Sequence, residues 1–69
     1  MAEISFASVE RLIKFGGTQR VSNSAVLELR DYLEKEALRI SRKAQKLSKY
    51  AGRKTVTDTD VRMSISTDE

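Results

Sequence analysis

Between Ser22 and Gly52 the chain has no glycine or proline, and one side of that stretch is apolar throughout. Val26, Leu29, Leu33, Ala37, Ile40, Ala44, Leu47 and Ala51 follow at steps of three and four. That is the repeat of an α-helical face, sustained for about eight turns. A strand is excluded, because a period of two scatters these residues onto both faces. Ser22 supplies an N-cap and Gly52 the first breaker, so the spacing predicts one helix of about 29 residues, about 43 Å long. A compact globule of this size has a radius of gyration of about 11 Å and spans roughly 28 Å. A helix longer than its own domain cannot cover its stripe with short neighbours alone. The simplest cover is a second copy: a homodimer in which two long helices cross, with Val26, Leu29, Leu33, Ala37, Ile40 and Ala44 as its core.

The flanks read as two short helices. The first runs from Phe6 to Phe15, with Val9, Leu12 and Ile13 at helical spacing and Glu10, Arg11 and Lys14 between them. Ser5 or Ser8 can cap its start, and Gly16-Gly17 ends it. After Gly52, Thr57 followed by Asp60 has the form of a capping box opening a third helix, with Val61, Met63 and Ile65 as its apolar residues. The reading is all-α, one domain over residues 1–69.

Composition narrows the function classes. A chain of 69 residues buries only about 60% of its unfolded surface. With two Phe, two Tyr and no Trp, its own core is small, which again favours association. The absence of cysteine removes disulfides, and the absence of histidine as well argues against zinc or haem. No cofactor, metal or small-molecule substrate is expected. No apolar run reaches the length of a membrane span and no secretory leader opens the chain, so a soluble, cytoplasmic protein is expected. "AGRKT" lacks the first glycine of a GxxxxGK[ST] phosphate loop, and no catalytic constellation is present.

Charge is placed unevenly. From Ala37 to Thr57 there is no acidic residue, while Arg39, Arg42, Lys43, Lys46, Lys49, Arg53 and Lys54 all fall there. Most of the acids sit in the first half of the long helix (Glu28, Asp31, Glu34, Glu36) and towards the C-terminus. A basic run on a helix is often only a solvated face. Here it leads into a Gly-Arg-Lys-Thr turn, and Arg20 occupies the other link between helices. Cations in both links point to a polyanion, and phosphate backbone is the common one.

"RLIKFGGTQRVS" (Arg11 to Ser22) and "AGRKTVTDTDV" (Ala51 to Val61), separated by the long helix, carry a family resemblance: the chain resembles an archaeal histone over nearly its whole length. The resemblance implies a histone fold of short, long and short helices, paired head to tail in a handshake homodimer. It also implies a chromatin protein of the nucleoid that binds, bends and wraps or compacts double-stranded DNA largely without sequence specificity. In the family's dimer the first link of one copy lies beside the second link of the other. Carried onto this chain, Arg20 enters the minor groove while Lys54 and Thr55 contact phosphate. Arg11 and Lys14 belong to a further DNA surface where the first helices of the two copies meet. Arg53 pairs with Asp60 and locks the second link to the third helix. Gly17 matches the glycine that lets wrapped dimers stack closely. Leu47, Tyr50, Asp60 and Met63 match a contact through which dimers join into tetramers or larger assemblies on DNA.

The chain also departs from the family pattern. It opens with "EISFASVE", without the proline common there. It has Tyr50 where histidine is usual, and "STDE" where the family has a basic end. A stripe of Arg39, Arg42, Lys43 and Lys46 lies on a face that is only partly against DNA in the family. A second reading, from another class, is a histone-fold dimerisation module that helps to build a protein complex. That role tolerates loss of the link cations, whereas Arg20, Lys54 and Thr55 are all present.

Overall fold

The structure, a computed structural model, describes residues 3–17 and 20–66. Thr18 and Gln19 of the first link and the terminal Thr67-Asp68-Glu69 lie outside the described residues. Three α-helices form, in the order short, long, short: α1 (Phe6–Lys14), α2 (Asn23–Tyr50) and α3 (Asp58–Ser66). Two compact units divide the chain, Met1–Lys35 and Glu36–Glu69, and the 28 residues of α2 contribute to both.

In the first unit the helix ends follow from local chemistry. Ser5 is extended and its Oγ accepts the N–H of Ser8 at 3.1 Å, so Ser5 rather than Ser8 is the cap of α1. At the other end the N–H groups of Gly16 and Gly17 bond to the carbonyls of Ile13 and Lys14, both at 3.0 Å. Gly17 has φ +101°, a conformation that side chains with a Cβ avoid. Ser22 caps α2 as its position suggests, its Oγ accepting the N–H of Ala25 at 3.1 Å. Glu34, in the first half of α2, reaches back to the segment before α1. One of its carboxylate oxygens accepts the N–H of Ile4 at 2.8 Å and also that of Glu3. An acid that reads as a solvated charge thus anchors the proline-free opening of the chain.

The second unit is closed by two local motifs. Gly52, at φ +71°, ends α2 in a Schellman turn: its N–H bonds to the Lys49 carbonyl at 2.9 Å, and the Arg53 N–H to the Ser48 carbonyl at 3.0 Å. The capping box at α3 forms with an aspartate in the usual glutamate place. Asp60 Oδ2 accepts the Thr57 N–H at 2.9 Å, and Thr57 Oγ1 accepts the Asp60 N–H at 3.4 Å.

The apolar interior of a single chain is small. Among the described residues only Val9, Val26 and Ala44 are fully buried apolar side chains. Leu29, Leu33, Ile40 and Leu47 are half-buried, and Ala37 and Ala51 are exposed. Leu12, Phe15, Tyr32, Tyr50, Met63 and Ile65 are all about half exposed or more, Phe15 to 83% and Tyr50 to 88%. The stripe along α2 therefore exists but is only partly covered by its own chain.

Candidate nucleic-acid interface

A cluster of polar contacts surrounds the Gly-Arg-Lys-Thr turn. Arg53 meets Asp60 end-on: Nη1 donates to Oδ2 and Nη2 to Oδ1, both at 2.8 Å. This bidentate fork matches the planar guanidinium to the carboxylate. Asp60 is 3% exposed, so its charge is balanced inside the fold rather than by water. Arg53 Nη1 also donates to the Thr55 carbonyl at 3.0 Å. A buried serine with no obvious signal in the sequence completes the cluster. Ser48, 3% exposed near the end of α2, donates from Oγ to the carbonyls of Arg53 at 3.1 Å and Thr55 at 3.0 Å.

These contacts hold the turn while leaving its outer groups available. Lys54 and Thr55 are exposed, and the Lys54 ammonium has no ion pair or hydrogen bond among the described residues. A shallow cleft beside them is lined by Gln45, Ser48, Lys49, Arg53, Lys54 and Val56. The arrangement can offer a mobile cation, a hydroxyl and free backbone N–H groups to an anion.

The other residues singled out from the sequence are distributed as follows. Arg11, Lys14, Gly17 and Arg20 belong to the first unit, Lys54 and Thr55 to the second. Arg20 is exposed. Lys14 pairs with Glu10 at 3.7 Å, and Arg11 donates to the Ser8 hydroxyl at 3.4 Å. Arg39 is held by Glu36 one turn earlier, whereas Arg42 and Lys46 have no polar partner among the described residues. Leu47 and Tyr50 border one shallow depression with Lys43, Lys46 and Ser64. Met63 is half exposed, while Asp60 lies buried in its pair with Arg53. Ser64 is also buried, its hydroxyl donating to the Asp60 carbonyl at 2.8 Å.

The ion pair makes stability depend on pH in one direction. The Arg53 guanidinium, and then the Thr57 N–H, hold the Asp60 carboxyl well below the usual carboxylate range. The same hydrogen bond raises the Arg53 pKa. A carboxyl with a depressed folded-state pKa contributes stability above its unfolded value, about 3.9, and loses it as pH falls further. Melting temperature should therefore drop as pH is lowered below about 4. Arg53→Met, which keeps the apolar stem, should lower it already at pH 7 and flatten the acid limb. Equal acid sensitivity in wild type and Arg53→Met would show that Asp60 does not govern it.

A short–long–short helical chain with a capped basic turn after its long helix is a histone fold. The chain belongs to the family described as histone-like transcription factors (CBF/NF-Y) and archaeal histones, whose profile matches residues 2–65. It is 43% identical over 65 residues to a chain of the archaeal histone HAN1 of Thermococcus zilligii, covering 94% of this chain and 97% of that protein. It is likewise 43% identical over 65 residues to the probable archaeal histone 3 of Methanocaldococcus jannaschii, with the same shares of the two chains.

Proposed function

We propose that two copies of this chain pair head to tail in a handshake homodimer. The dimer packages double-stranded DNA in the nucleoid by binding, bending and wrapping or compacting it, largely without sequence specificity. The observation that carries this reading is the second link. Arg53, Ser48 and Asp60 restrain the turn, while the side chains of Lys54 and Thr55 stay exposed, with no polar partner among the described residues. A protein that only assembles other proteins would tolerate loss of the link cations, whereas Arg20, Lys54 and Thr55 are all present. Arg20 from the first link of one copy would lie beside Lys54 and Thr55 of the other, giving two such surfaces per dimer. Arg11 and Lys14 of both copies would form a third. Backbone contacts set orientation and carry no base sequence, which fits packaging. The role is binding, not catalysis.

Pairing is supported by burial. The half-covered residues Leu29, Leu33 and Ile40 line one face of α2 and have too little of their own chain against them. Joining of dimers is proposed through Leu47, Tyr50 and Met63, with Asp60 as acceptor. A carboxylate has about four acceptor positions. Asp60 receives the two Arg53 donors and the Thr57 N–H, which leaves room for the Tyr50 hydroxyl of a neighbouring dimer.

Nuclease digestion of DNA reconstituted with the pure protein tests both levels. Wild type should protect a shortest fragment plus longer ones. Tyr50→Ala should keep the shortest and remove the rest. A ladder unchanged in Tyr50→Ala rules that residue out of the joint. No protection at all, with no retention on DNA at physiological salt, favours the reading as a component of a protein complex.

A further inference from the structure

Ser48 behaves unlike the other helical serines near it. A serine within a helix ordinarily bonds back to the carbonyl four residues earlier. Ser64 does so with Asp60, and Ser66 with Arg62, both at 2.8 Å. Ser48 instead reaches forward, past the end of α2, to the carbonyls of Arg53 and Thr55. Its single hydroxyl proton is shared between two acceptors on either side of Lys54. At 3% exposure, water has little access to take its place.

Drawing these two carbonyls inward has a geometric consequence. In a trans peptide the C=O and the N–H of the following residue point in opposite directions across one plane. With the Arg53 and Thr55 carbonyls turned towards Ser48, the N–H groups of Lys54 and Val56 turn away from it. Neither N–H has an acceptor among the described residues. Both residues are exposed. Two outward N–H groups on alternate residues can both donate to phosphate oxygens, and Lys54 adds its ammonium to them.

We propose that Ser48 is a positioning residue for phosphate: its buried hydroxyl sets the peptide planes that present the Lys54 and Val56 N–H groups to the DNA backbone. This rests on the DNA-binding role proposed above. The Thr55 carbonyl has a second donor in Arg53 Nη1. The Arg53 carbonyl has no other donor among the described residues, so without Ser48 the plane carrying the Lys54 N–H is the one set free.

The test uses the full chain with Ser48→Ala, Ser48→Thr and Lys54→Ala. Ser48→Ala removes no charge, so it should weaken duplex binding by about tenfold, the worth of a hydrogen bond or so, while leaving the salt dependence unchanged. Lys54→Ala should flatten the salt dependence. Inorganic phosphate, followed by NMR, should shift the amide signals of Lys54 and Val56 in the wild type and no longer in Ser48→Ala. The core amides of Val26 and Ala44 should be unaffected in both. Ser48→Thr keeps the hydroxyl and should restore both readouts. Wild-type affinity and phosphate shifts in Ser48→Ala overturn the proposal. So does a loss of binding that follows only a fall in melting temperature, with the phosphate shifts intact. If Lys54→Ala leaves DNA binding untouched, the DNA surface itself is misplaced, which is a separate failure.

Discussion

Ile40→Asp, or Leu33→Asp, is expected to leave the chain unfolded rather than merely dissociated. Both residues sit on the apolar stripe of α2 and are only partly covered by their own chain, so the rest of their surface awaits a partner. The chain by itself buries only Val9, Val26 and Ala44 fully among the described apolar residues, which is little against the entropy of ordering the backbone. On the proposed pairing, its stability is tied to dimerisation, as in obligate dimers. A carboxylate at the proposed crossing of two long helices is taken out of water against an apolar surface. Burying an unpaired charge there costs more than such a small fold can absorb. Circular dichroism should show lost helix, and sedimentation a monomer. The wild type's melting temperature should rise with protein concentration. A helical, folded monomer of either variant overturns the dimer reading.

The second large effect is expected in salt. Arg11, Lys14, Arg20 and Lys54, each present twice per dimer, set a slope of log affinity against log salt of about −5 to −7, at about 0.9 per phosphate contact. Between about 50 and 200 mM salt this predicts a loss of about 10³- to 10⁴-fold. The lower end is favoured by two features. Lys14 is partly balanced by Glu10 at 3.7 Å, and a minor-groove Arg20 counts for less than a full phosphate contact. Lys54→Ala removes one cation from each paired-link surface and should flatten the slope by about 2, weakening all duplex sequences nearly equally. Arg20→Ala should also shrink any preference for flexible or AT-rich DNA, because groove width is what such an arginine senses. Lys49→Ala, on the adjoining helix, controls for simple loss of charge. Equal flattening by Lys49→Ala and Lys54→Ala would reduce the turn to part of a diffuse basic surface.

The helices and their ends were legible because their signals are local. Ser22, Gly52 and the Thr57/Asp60 pair act on backbone groups within a few residues, so residue type and spacing are enough to locate α2 and the start of α3. For α1, two serines were eligible caps, and only the backbone conformation at Ser5 decided between them. Part of the candidate site was equally open to reading, since glycine, cations and threonine in one turn are visible as such. Of its restraints, the Arg53–Asp60 pair was expected from the family resemblance, and Ser48 was not. A serine near the end of a helix looks like any other, and an acid among apolar residues of α2 looks solvated. The parts played by Ser48 and Glu34 depend on which distant backbone groups the chain brings to them.

By itself, then, the order of residues determined the three helices, the length of the central one and the apolar stripe along it, from which pairing with a second copy is proposed. Only the tertiary structure decided which stripe residues one chain buries for itself, and which way the peptides of the Gly-Arg-Lys-Thr turn face. Helix caps and periodicity act over one or two turns, whereas burial and hydrogen bonding across a loop are set by groups that meet only when the chain folds.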